Sequence, residues 1–151
     1  MCIRDSYYTV QFDGSVGGPV KWIKNSSFFI SAQRRNINDL SAIDAETLDS
    51  NFNPVQVLES VPTPHQRTNI GPRFDYAITK NNTLTARYQY YRDTETNDGL
   101  TSPTTLPTQA YHSITTEHTI QIGDTQVFGA KVVNETRFQF LRDNNCLLYT
   151  S

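Results

Sequence analysis

Three histidines (His65, His112, His118) and one acidic run, Asp93-x-Glu95-x-Asn97-Asp98-Gly99, are the residues whose types could do chemistry in this chain. A metal centre needs three or four convergent ligands, and these histidines are scattered singly. His65 lies in a Pro-rich stretch, His112 at a strand start and His118 on an apolar strand face. Glu117 and His118 are neighbours, so on a strand they point to opposite faces and do not chelate together. The acidic run is superficially like a calcium loop, but its Gly comes one place late and Thr104 stands where the bidentate Glu belongs. It reads as a solvated turn. Asn25-Ser26-Ser27, Asn81-Asn82-Thr83 and Asn134-Glu135-Thr136 match the glycosylation pattern, as chance allows in a chain this rich in Asn, Ser and Thr. No nucleophile elbow, paired-His helix, Cys cluster or phosphate-binding Gly loop is present. The sequence predicts no enzyme, no metal and no cofactor.

With no reactive constellation marked, composition and periodicity carry the reading. The chain has 151 residues, 36% hydrophobic and 19% charged, with 13 Lys and Arg against 15 Asp and Glu. No apolar run approaches the roughly 20 residues of a spanning helix, and there is no basic excess to hold nucleic acid. Eight Tyr, eight Phe and one Trp are more than a coreless chain would carry. Such a composition leans towards β structure.

The two cysteines, Cys2 and Cys146, sit in words that read as foreign. Back-translated, residues 1–6 fit ATG TGT ATA AGA GAC AG plus one base, and residues 146–151 fit TGT CTC TTA TAC ACA TCT. The second string, preceded by one C, is the reverse complement of the first. Both resemble the transposon end of a sequencing library, so residues 1–6 and 146–151 are expected to be adapter-derived. Residues 7–145 are then the native part, an internal piece of a longer protein.

Within that part no window keeps a helical apolar stripe, whereas six stretches alternate apolar and polar residues. Their apolar sets are Tyr8, Val10, Phe12, Val16; then Phe28, Ile30, Ala32; then Ile70, Pro72, Phe74, Tyr76, Ile78. Leu84, Ala86, Tyr88, Tyr90 follow, then Ile114, Ile120, Ile122, and last Val132, Phe138, Phe140. These strands run roughly 9–13 residues, and a tilted transmembrane strand needs about 9–11. The connections are alternately short and long, with long loops at 38–66 and 93–110. That is the loop pattern of an outer-membrane barrel. A soluble sandwich would show turn signals every 8–12 residues without it.

Two details of register follow. Residues directly opposite share a face, which excludes a two-residue Asn81-Asn82 loop pairing Lys80 with Thr83. Pairing Thr79 with Thr83 keeps the faces consistent, sets Phe74 opposite Tyr88 and predicts an Asp75–Arg87 ion pair. Pro72 removes a ladder donor, so a bulge is expected near Gly71-Pro72.

Several words then carry a resemblance. Gly14-Ser15-Val16-Gly17-Gly18-Pro19, a Lys-Asn turn and Ser27-Phe28-Phe29 resemble the opening barrel hairpin of TonB-dependent outer-membrane receptors. Gly71-Pro72-Arg73-Phe74-Asp75-Tyr76 is similar to their PR-x-DY strand, and Asn82-Thr83-Leu84-Thr85-Ala86-Arg87-Tyr88 to their N-x-L-x-x-R-Y strand. Val133-Asn134-Glu135-Thr136-Arg137-Phe138 is similar to their V-NE-R-F segment. The closest match is to receptors with a carboxypeptidase-regulatory-like domain ahead of the plug, and it spans residues 7–145 in order.

The expected fold is all-β: antiparallel up-and-down strands forming a partial transmembrane barrel, about six strands of roughly 22, a size that holds a plug. Arg35, Arg73, Asp75, Arg87, Glu117, Glu135 and Arg137 are expected to face the lumen. Phe28, Ile30, Phe74, Tyr76, Ile78, Tyr88, Tyr90, Phe138 and Phe140 are expected to face lipid, with Tyr91 turned inward near the extracellular rim. The resemblance implies energised uptake of a scarce solute through the outer membrane of a Gram-negative bacterium. The partners it implies are outer-membrane lipid, a plug domain and further strands of the same chain, and a TonB-type energising protein. A plugless porin-like barrel and a soluble extracellular β-sandwich for binding or adhesion stay open as alternatives.

Overall fold

A strand's backbone N–H and C=O groups need partners on both sides, and six strands find theirs in one antiparallel sheet. The computed structural model describes residues 8–129 and 131–149. The sheet contains β1 (Tyr8–Pro19), β2 (Ser26–Asn38), β5 (His65–Thr79), β6 (Asn82–Asp98), β7 (Tyr111–Phe128) and β8 (Val132–Tyr149), in chain order. These strands are 12–18 residues long, longer than the alternation alone outlined. The sheet is open, with β1 and β8 at its edges. Residues 1–6 lie outside the described residues, whereas residues 146–149 continue β8 and pair with residues 111–114 of β7.

The connection between β2 and β5 is not an irregular loop. It folds into a hairpin of its own, β3 (Leu40–Leu48) with β4 (Pro54–Pro62). The sequence carried the pattern: Ile43 and Ala45 alternate with Asp44 and Glu46, and an Asp-Ser-Asn turn follows. Ile43, Ala45 and Val61 form a small core packed against Leu100 and Leu106. The Asp44 N–H donates to the Pro103 carbonyl at 2.7 Å. The second long connection is also shorter than expected, because β6 continues to Asp98 and a 3-10 turn spans Pro107–Gln109. The acidic run thus starts in a strand rather than a solvated turn. Gly99 ends it at φ +92, where a Cβ would also meet the Tyr111 ring at 2.6 Å.

The hairpin tip is pinned by Asp49. Its Oδ1 accepts the backbone N–H groups of Asn51 at 2.7 Å and Asn53 at 2.9 Å. Those bonds, Asn53's foremost, favour the carboxylate and hold its pKa below the ordinary 3.8. A depressed folded pKa adds stability above the unfolded value and loses it as pH falls through the lower folded one. Order at the tip is therefore expected to persist below pH 3.8 and fail only in stronger acid. The amide shifts of Asn51 and Asn53, followed by NMR through that range, check this; loss of order above pH 4 would contradict it.

Two expectations about register are corrected. Thr79 pairs with Asn82 across a two-residue Lys80-Asn81 turn, yet Ala77 pairs with Thr83. Ile78 is the extra residue of a bulge on β5, and it absorbs the one-residue slip that would have set apolar against polar faces. Phe74 consequently faces Ala86 rather than Tyr88, and Asp75 faces Thr85 rather than Arg87. The bulge is not at Pro72. Gly71 and Pro72 keep their pairs with Ser31 and Ile30 in β2, and the ladder to β6 lapses between Ile70 and Arg73, then resumes unshifted. Lacking an N–H, Pro72 leaves a gap in one ladder without adding a residue.

Almost nothing in the large sheet is buried. Among the described residues the buried hydrophobics are Ile43, Ala45, Val61 and Ala110, none of them in a strand of that sheet. Its big apolar side chains stand open, Phe12 at 67% and Phe138 at 61%. No second layer covers them among the described residues. One close fit lies across the first hairpin, where Gly17 leaves room for the Phe29 ring; a Cβ there would stand 2.9 Å from Phe29 Cδ2.

Candidate functional site

Apart from Thr79–Asn82 and Asp98–Tyr111, which lie beyond register shifts, cross-strand pairs join odd with odd and even with even numbers, so each face is one numerical set. The even face carries Phe28, Phe74, Ala86, Ile122 and Phe138 in one row across five strands. Ile30, Tyr76, Tyr88, Tyr90 and Phe140 share it. Ile78, in the bulge, lies outside the paired ladder. Two steps up, Ile70, Tyr90, His118 and Arg142 form a mixed row. There the Tyr88 hydroxyl meets His118 Nδ1 at 2.7 Å, and the Tyr90 ring lies 5.4 Å from the imidazole. Next comes a polar row, Arg34, Thr68, Arg92, Thr116 and Asn144. At the other boundary stand Ser26, Tyr76, Leu84, Asp124 and Thr136. The interval from Ser26 to Arg34 spans on the order of 26 Å at ~3.3 Å per residue before tilt. Outer-membrane barrels carry an apolar band about 25 Å tall.

The odd face carries all seven residues assigned to a lumen: Arg35, Arg73, Asp75, Arg87, Glu117, Glu135 and Arg137. Asp75 does not pair with Arg87 as predicted. The Asp75 carboxylate accepts Arg73 of its own strand at 2.8 Å and the Thr85 hydroxyl at 2.8 Å. Arg87 stands opposite Arg73, and Arg35 opposite Arg67. Like charges directly opposite repel, and the Asp75 contact offsets the first pair. Arg137 meets Glu135 at 2.6 Å, while Glu117 accepts the Thr119 hydroxyl at 2.9 Å rather than an arginine. Two open concavities on this face, about 620 and 490 Å³, share Arg73 and Arg87. The face is open, charged and suited to meeting another polar surface.

At the end of the sheet opposite the short turns, the two long connections come together. The Thr96 N–H donates to the Pro64 carbonyl at 3.0 Å, and Asn97 Nδ2 to that of Pro62 at 2.8 Å. A cavity of about 370 Å³ lies beneath them, lined by His65, Glu95 and Asn97 among others. Tyr91 points to this odd face, and its hydroxyl donates to Asp93 Oδ2 at 2.9 Å. The structure also gathers residues the sequence left apart: His65 Nε2 contacts both Asp93 and Glu95. The histidine and the two acids are far apart in sequence, and only the β5–β6 register joins them.

A single antiparallel sheet with an apolar band on one face, charges on the other and its long connections at one end is the wall of a membrane-spanning β-barrel. The chain belongs to the outer membrane beta barrel domain family, whose model matches residues 34–149. Its place is the outer membrane. No curated protein and no solved structure matches it.

Proposed function

We propose that the chain forms the early barrel wall of a TonB-dependent-type receptor, which takes up a scarce solute when an energised periplasmic partner displaces a plug. One observation carries this reading. The words that resemble such receptors lie far apart in sequence, at residues 14–19, 27–29, 71–76, 82–88 and 133–138. In the sheet they line up at one level as a patch in the short-turn half, contiguous across β1, β2, β5 and β6 and resumed on β8 beyond β7. On the odd face that patch presents Arg73, Asp75, Arg87, Glu135 and Arg137, a charged surface for a plug to rest against.

In this reading residues 7–145 are part of a longer chain that supplies the plug and the remaining strands. The protein is a transporter, not an enzyme, and its partners are lipid, plug and a TonB-type protein. A plugless porin is separated from a plugged receptor by conductance. The whole encoded protein, purified in detergent and inserted in planar bilayers, is expected to be closed at rest. Large steady conductance from the intact protein would favour the porin instead.

A further inference from the structure

We propose that His65, Asp93 and Glu95 bind a divalent transition-metal ion of the zinc type at the long-connection end of the odd face. One atom of each, His65 Nε2 and one oxygen of each carboxylate, lie within 4.8 Å of one another. His65 Nε2 contacts Asp93 Oδ1 and stands 3.0 Å from Glu95 Oε1. Four ligands at about 2.1 Å around a tetrahedral ion stand roughly 3.4 Å apart, a spacing inside the 4.8 Å within which the three atoms lie. Imidazole with carboxylates is a donor set for zinc, iron or manganese, not for calcium or magnesium alone.

The hydrogen-bond count points the same way. A neutral imidazole has one N–H, so Nε2 serves at most one of the two carboxylate oxygens facing it. The Arg67 Nε N–H is shared between that nitrogen at 3.1 Å and Asp93 Oδ2 at 3.2 Å, so it can stay on Asp93 while the Nε2 lone pair turns to an ion. With Arg67 on Asp93 Oδ2 and the proton of His65 on Nδ1, three acceptor atoms face one another, and a cation among them satisfies all three. The outer contacts fit as well. Asp93 Oδ2 is held by the Tyr91 hydroxyl at 2.9 Å and by Arg67 at 3.2 Å, which leaves Oδ1 aimed at the site. Metal-ligating carboxylates are oriented by such outer-shell donors.

Access is provided too. His65 and Glu95 line the 370 Å³ cavity under the long connections, so coordination positions beyond the three protein ligands face open space. Bound there, the ion would clip the first residue of β5, where the chain leaves the β3–β4 hairpin, to the upper part of β6. The site does not depend on which solute the barrel carries or on whether a plug is present.

Titration of the tag-free, whole encoded protein in detergent with Zn²⁺, followed by calorimetry, tests this directly. One saturable equivalent is expected, lost in His65→Ala and weakened about tenfold or more in Asp93→Asn and Glu95→Gln. Tyr91→Phe is expected to weaken it by about tenfold, as outer-shell changes do. Glu135→Gln, on β8 near the short turns, should leave it unchanged. Absence of saturable binding, or binding unaltered in His65→Ala, would overturn the proposal. Heat-modifiable mobility confirms that each variant folds. Should His65→Ala fail that check, the wild-type Co²⁺ complex decides: a paramagnetically shifted imidazole proton supports the site, and its absence overturns it.

Discussion

Ile120→Arg will destabilise the membrane-inserted protein by about 2–4 kcal/mol, the cost of an arginine at mid-bilayer depth on the lipid face of a barrel. Ile120 lies at the middle level of the apolar band, between Tyr88 of β6 and Phe140 of β8. On its own strand it stands four residues from both Asp124 and Thr116, in the boundary rows of Ser26 and Arg34, so a guanidinium at position 120 has no short path to either boundary. The matched control is Gln89→Arg. Gln89 is on the odd face, opposite Thr119, beside the arginine-lined concavity. There an added charge stays hydrated, and a change within about 0.5 kcal/mol is expected, as for surface substitutions. Urea unfolding of the whole encoded protein in lipid vesicles, read by heat-modifiable mobility, measures both. Equal losses from the two substitutions would refute the assignment of faces.

Ile43→Ala will loosen the β3–β4 hairpin and leave the large sheet intact. Ile43 is 1% exposed, the most buried side chain of the hairpin core. Truncating a buried isoleucine to alanine costs about 2–5 kcal/mol through lost burial and the cavity left behind. The hairpin is a separate two-stranded sheet, and a lone hairpin is marginal in water, so it depends on its contacts with Leu100 and Leu106. Amide exchange across residues 40–62 is expected to accelerate by about 30-fold or more, since ~1.4 kcal/mol is tenfold. Exchange in β6 and β7 should stay unchanged. If exchange rose throughout the sheet, the hairpin would be part of the barrel's cooperative unit rather than a cap on it.

The two results probe different forces. The Ile120 result tests contact with lipid that the protein does not supply, and the Ile43 result a core that it does. Among the described residues the one small core lies at the long-connection end, while the wall leaves an apolar band open on one face and charged side chains on the other.

Face membership was legible in the sequence because a strand's side-chain period is two and pairs in a ladder share a face. Phe28, Phe74 and Phe138 therefore fall into one set, and Arg73, Asp75 and Arg137 into the other, whatever the register. Register itself was not legible. It turned on whether Ile78 is an ordinary strand residue or a bulge, and alternation looks alike on either side of a bulge. The error propagated to the rim. A Thr79–Thr83 pairing sets His65 opposite Asn97 and Arg67 opposite Glu95, whereas the actual ladder sets His65 opposite Glu95 and Arg67 opposite Asp93. One rung separates scattered residues from a cluster of three ligands.

The hairpin was missed for a different reason. Its alternation is short, and small residues such as Ala45 contribute little apolar contrast, so its burial depends on Leu100 and Leu106 from a distant connection. The sequence by itself determined the strand-rich class, the two faces and the alternation of short and long connections. Each of these follows from local periodicity and turn chemistry, which need no partner. Only tertiary structure decided the bulge at Ile78, the capping hairpin and the meeting of His65 with Asp93 and Glu95. Each depends on which residue stands across the ladder or across the loops, and that choice is made by non-local pairing.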